Sequence, residues 1–153
     1  MNIFLGIILL VLCTFIGYVC SGKYSLKKEF YGHFVEFNTK LKDEVSFYQT
    51  SIVKLVKSIL IESDFYNCIK TYILNKEFIF EKDYLSSDEK EFLFQYLNKI
   101  GKSDKKSQIE YLQATNKIIT EKYEKYSLDE KKYKHLCIKL GFLIGLIAFI
   151  IVL

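Results

Sequence analysis

Ile3 to Cys20 reads IFLGIILLVLCTFIGYVC, eighteen residues without one charged side chain. A second run, Leu136 to Leu153, reads LCIKLGFLIGLIAFIIVL and carries a single charge, Lys139, near its inner edge. All 22 basic residues are lysines, and they and all 18 carboxylates lie between Lys23 and Lys139. At about 1.5 Å of rise per residue, eighteen residues reach roughly 27 Å, just under a hydrocarbon core of about 30 Å. Length is therefore marginal, and composition decides. The first run holds twelve Leu, Ile, Val or Phe residues and the second thirteen. Such residues favour insertion by about 0.3–0.6 kcal/mol each, so the first run gains about 4–7 kcal/mol. Lys139 would cost about 3 kcal/mol at the bilayer centre, but less at the edge, where its stem can snorkel. The expected organisation is a transmembrane helix over 1–22, a polar domain over 23–135 and a second transmembrane helix over 136–153.

Two competing readings of the first run are a cleaved signal peptide and a lipoprotein anchor at Cys20. The former needs a positive segment ahead of the apolar run, and no lysine precedes it. The latter wants a small residue before the cysteine, where Val19 stands. Orientation follows from the lysines. Lys23, Lys27 and Lys28 flank the first run on its inner side, and Lys131, Lys132, Lys134 and Lys139 flank the second. The outer flanks, Met1–Asn2 and Leu153, carry no charged side chain. The positive-inside rule then places the middle domain in the cytoplasm and both termini outside.

The middle domain, about 115 residues, has the size of one small domain. With no Pro in the chain and few Gly, it offers no linker. Apolar residues recur at steps of three and four. Leu26, Phe30, Phe34, Phe37, Leu41 and Val45 extend the first span as an amphipathic helix. A turn is expected near Tyr48–Ser51, with Thr50 or Ser51 capping a helix that buries Ile52, Leu55, Val56, Ile59 and Leu60. Ser63 or Asp64 caps the next, which carries Phe65, Cys68, Ile69, Tyr72 and Ile73. Phe78-Ile79-Phe80 reads as a short helix or a packed loop. Ser86-Ser87-Asp88-Glu89 is a capping-box sequence ahead of Phe92, Leu93, Tyr96, Leu97 and Ile100, and Gly101 is placed to stop that helix. A last helix starts at Ser103 or Asp104 and runs through Ile109, Leu112, Asn116, Ile119, Tyr123 and Tyr126 into the second span. Ser127-Leu128-Asp129-Glu130 could kink it. Alternating strand patterns are absent. The expected fold is all-α: two transmembrane helices flanking an antiparallel helical bundle.

The chemistry-bearing signals are few. The sequence has no glycine-rich phosphate loop, nucleophile elbow or zinc-binding helix motif, so neither enzymatic activity nor a cofactor is expected. The net charge of +4 comes from interspersed charges without a clustered basic patch, which argues against nucleic acid and suits a domain beside an anionic leaflet. Cys13, Cys20 and Cys137 lie in or beside the spans, Cys68 stands alone as a small core residue, and none has metal-ligand spacing. Gly141 and Gly145 form a GxxxG, which lets two helix backbones approach closely or arises by chance in a glycine-tolerant span. Gly6 or Gly17 could supply the matching surface.

Four stretches resemble the stage III sporulation protein AB family of endospore-forming bacteria. They are Thr14-Phe15-Ile16-Gly17-Tyr18 with Lys23-Tyr24; Leu41 to Thr50; Leu97-Asn98-Lys99-Ile100-Gly101 with Asp104 and Gln108; and Leu140 to Leu146. Span lengths, domain size and the absence of a C-terminal tail fit as well. Ser51 departs from the family, which often has proline there, and lysines replace its arginines. The resemblance implies a part of the channel complex between mother cell and forespore. Its cytoplasmic domain would be similar to the platform protein of type II secretion machines. The partners would be the bilayer, an ATPase similar to stage III sporulation protein AA, and other membrane subunits of that complex. Gly101, Asp104 and Gln108 are the candidate docking residues. Their local alternative is a helix stop, an N-cap and a first-turn polar residue. Gly17, Gly141 and Gly145 are candidates for helix packing in the membrane. A two-span adaptor or a holin-like pore outside sporulation is the alternative function. A pore would need polar residues facing a lumen, and the spans offer only Thr14 and Lys139.

Overall fold

The computed structural model describes residues 2–48, 56, 61–75, 78–80 and 83–152. Four α-helices are described: α1 (Asn2–Asp43), α2 (Asp64–Asn75), α3 (Ser87–Lys99) and α4 (Lys105–Val152). No strand occurs among the described residues. A π-helical turn, Glu44–Tyr48, ends α1. Of the turn expected near Tyr48–Ser51 only Tyr48 is described, as the last residue of that π-helical turn; the rest of it and the capped helix after it lie outside the described residues, except for Val56, which is helical and buried. Phe78–Phe80 has no regular structure, and Phe78 stacks on Tyr72 at 4.4 Å, so it is a packed loop. The Ser127–Glu130 segment lies within α4, which continues through it as helix.

The chain divides into two compact units, Met1–Lys28 with Glu124–Leu153, and Glu29–Tyr123. In the first, α1 and α4 pair antiparallel. Tyr24 stacks on Tyr133 at 4.9 Å, and Gly6 packs on Phe149. Most large apolar side chains of this unit point outward, Phe4, Phe15, Ile144 and Ile150 among them. Both helices are long and apolar enough to cross a membrane, and outward-facing apolar side chains are what lipid requires of a spanning pair.

The second unit has a conventional inside. The stripe read from Phe30 to Leu41 is buried: Phe30, Phe34, Phe37 and Leu41 are each at most 3 % exposed. Phe65 of α2 fits into it edge-on to Phe30 at 5.1 Å and stacked on Phe34 at the same distance. Tyr96 of α3 closes edge-on against Phe34 at 4.8 Å. Such offset and edge-to-face rings add about 0.5–1.5 kcal/mol per pair beyond their burial. Leu112 and Ile119 bring α4 into the same core. Cys68 is fully buried there, and burial pushes its thiol up to about 12.

Local chemistry sets the ends of α3. Ser86 Oγ accepts from Glu89 N, and Ser86 N donates to Glu89 Oε2 at 2.7 Å, the two halves of a capping box. Glu89 is 5 % exposed, and its Oε1 also accepts from Tyr31 Oη at 3.3 Å. The cap therefore also ties α3 to α1. At the other end Gly101 adopts φ 76°, the left-handed conformation that glycine reaches without a Cβ clash.

Candidate functional site

Two places gather the residues singled out in the sequence. The first is the seam between the apolar parts of α1 and α4. A Cβ on Gly17 would lie 2.5 Å from Cys137 O and 3.3 Å from Gly141 Cα. One on Gly141 would lie 2.7 Å from Cys13 O. One on Gly145 would lie 3.0 Å from Leu10 Cα. Gly17, Gly141 and Gly145 thus meet in one intramolecular contact, with backbone against backbone. Without a hydrophobic driving force inside lipid, such close packing is what holds helices together. Gly6 takes a different role, receiving the Phe149 ring.

A polar clamp lies further along the same pair. Glu130 Oε1 accepts from Ser25 Oγ at 2.7 Å, and Glu130 Oε2 accepts from Lys28 Nζ at 2.8 Å. The hydrogen bond from Lys28 and then that from Ser25 hold the Glu130 carboxyl below its ordinary range. Lys27 lies over Tyr126 and Lys132 over Tyr133, at 5.1 and 5.3 Å from the ring centroids. Tyrosines with lysines at the end of an apolar span are the residues that favour the headgroup region.

The second place is the turn from α3 into α4. Gly101 N donates to Gln108 Oε1 at 3.0 Å, and Ser103 Oγ donates to the same oxygen at 3.2 Å. Asp104 Oδ2 accepts from Ser107 N at 3.1 Å, so Asp104 is the N-cap of α4. Hydrogen bonds from the side chain and then the backbone of Ser107 lower its carboxyl pKa. Gln108 is 3 % exposed, whereas Gly101 and Asp104 face solvent. Of these three candidates, then, only Gly101 and Asp104 present atoms that another molecule could touch. The carbonyl of Gln108 is spent on fastening the turn, and its buried Nε2 has no hydrogen-bond partner.

One functional-looking group escaped the sequence reading. Asn38 is fully buried on the apolar stripe of α1. Its Nδ2 donates to Leu112 O at 3.0 Å and to Asn116 Oδ1 at 3.1 Å, and its Oδ1 accepts from Tyr96 Oη at 2.9 Å. One amide therefore joins α1, α3 and α4. Beside it opens a cleft of about 260 Å³ lined by Asn38, Thr39, Lys42, Gln113, Asn116 and Lys117. Among the described residues, no three His, Cys, Asp or Glu side chains are grouped to hold a metal ion.

No curated protein and no solved structure matches the chain. A family model described as stage III sporulation protein AB matches residues 61–153, which take in α2, α3, the Gly101 turn and all of α4. The chain belongs to the stage III sporulation protein AB family.

Proposed function

We propose that this membrane protein, whose family gives it a sporulation-related role, is a non-enzymatic platform in the channel complex between mother cell and forespore. The observation that carries this reading is that α1 and α4 each combine a membrane-length apolar run with a water-soluble helix of the Glu29–Tyr123 unit. A chain built this way presents one face to membrane subunits and another to a soluble partner. The soluble partner is a secretion-type ATPase similar to stage III sporulation protein AA. In this reading the unit that meets it plays the part that the platform domain plays in type II secretion machines and lies in the mother-cell cytoplasm, with both termini across the membrane. The lysines on the inner flanks of both runs support that orientation.

The reading is tested by co-purification. Full-length protein in detergent is expected to retain the purified ATPase, and deletion of the gene is expected to arrest forespore development after engulfment. An ATPase that passes through unretained, together with normal spore yield in the deletion strain, would refute the platform role.

A further inference from the structure

The cleft beside Asn38 lies between α1 and α4 within the Glu29–Tyr123 unit. Its described lining supplies donors: the ammonium groups of Lys42 and Lys117 and the amides of Gln113 and Asn116. It contains no carboxylate. Asn116 has spent its carbonyl oxygen on Asn38, which leaves its NH2 as the remaining polar group. Thr39 Oγ1 donates its proton to Val35 O, so this hydroxyl adds no donor to the cleft. Asp43 Oδ1 lies 3.9 Å from Lys42 Nζ, at the long end of ion-pair distance, and is not among the described lining residues. Lys117 has no carboxylate within ion-pair distance among the described residues. Asn38, fully buried behind the cleft, fixes the spacing of the two walls.

We propose that this cleft receives acidic side chains of a protein partner. Charge and donor complementarity select an anion, and the backbone selects which kind. Neither α1 nor α4 begins here, so the described lining offers no row of free backbone N–H groups, the feature that phosphate sites exploit. Lysines on flexible stems act as point charges that suit separate carboxylates. A volume of about 260 Å³ also exceeds what one small oxyanion fills. The proposal rests on the platform reading and deepens it, because it gives the chemistry of the docked surface.

The experiment uses full-length protein in zwitterionic nanodiscs at about 20 mM salt, where charge interactions are weakly screened. The probe is a fluorescent hexaglutamate peptide followed by anisotropy. Wild type is expected to bind it, and the Lys42→Gln/Lys117→Gln pair is expected to bind at least fivefold more weakly at unchanged helix content. The Lys105→Gln/Lys106→Gln pair, of equal charge, is expected to match wild type. Equal weakening in both pairs, or inorganic phosphate binding where the peptide does not, would overturn the proposal. The same variants are then tested for retention of the ATPase. Retention by wild type and by Lys42→Gln/Lys117→Gln alike refutes the cleft as the docking point and leaves the platform role standing. No retention by wild type, together with normal spore yield in the deletion strain, refutes the platform role, and the peptide titration still decides the cleft.

Discussion

Replacing Gly17 by Ala tests the seam at its tightest point. The new Cβ would stand 2.5 Å from Cys137 O. An ordinary contact begins near 3.4 Å, so the two helices must separate locally by about 1 Å. A gap of that size forfeits a quarter to a half of the dispersion well for each atom pair it opens. Overpacking of this kind costs about 1–3 kcal/mol. Alanine also favours helix over glycine by up to about 1 kcal/mol, which would mask part of the loss. Gly22 supplies the control, because a Cβ there meets nothing within 4 Å and the helix-propensity gain is shared. Gly17→Ala is therefore expected to fall about 1–3 kcal/mol below Gly22→Ala. The assay is denaturation by sodium dodecyl sulfate in mixed micelles. It is read by energy transfer between dyes on cysteines introduced at Phe4 and Ile150, both exposed, with the native cysteines replaced. Equal midpoints for the two alanine variants would refute the backbone-to-backbone contact.

Asn38→Leu keeps the volume but leaves the Tyr96 hydroxyl and the Leu112 carbonyl without that partner. It is expected to cost about 2–4 kcal/mol in chemical denaturation followed by circular dichroism, while Thr39→Ala at the exposed neighbour costs little. Because Glu130 has a folded pKa below its ordinary 4.5, its contribution is present above that value. It is lost as pH falls below 4.5 and through the depressed folded value, so the helix pair should loosen in acid, and Glu130→Gln should remove that pH dependence. Ser86→Ala is expected to cost about 1 kcal/mol, measured as a lower thermal midpoint, by breaking the capping box. Cys68 should resist maleimide at pH 8 until the protein is denatured, since its thiol is buried and raised to about 12.

Features with a local cause were legible in the sequence. The capping box at Ser86–Glu89 and the left-handed Gly101 depend on a few adjacent residues, and both occur as read. The apolar stripe from Phe30 to Leu41 was legible because a 3.6-residue period places those side chains on one face. Asn38 was not, because its partners Leu112 and Asn116 are 74 and 78 residues away and nothing local marks a polar side chain for burial. Gln108 was legible as a polar residue of the first turn, but not its burial, because that depends on how the turn folds over it. The GxxxG was visible, but its partner was not. Gly6 and Gly17 are both glycines of the first run, and only the antiparallel register separates the one facing Gly141 from the one holding Phe149. The π-helical turn at Glu44–Tyr48 has no signature in the sequence that distinguishes it from the α-helix before it.

Sidedness is measured most directly with two single cysteines in a background lacking Cys13, Cys20 and Cys137. One replaces Lys102 in the exposed turn after Gly101, and the other replaces Ile151 near the end of α4, which is 78 % exposed. The protein is expressed in vegetative cells, where the outer side of the membrane is open to reagents. An impermeant maleimide added to intact protoplasts is expected to label Ile151→Cys and to spare Lys102→Cys until the membrane is permeabilised. Labelling of Lys102→Cys from outside would contradict a cytoplasmic middle domain and, with it, the proposed meeting with an ATPase.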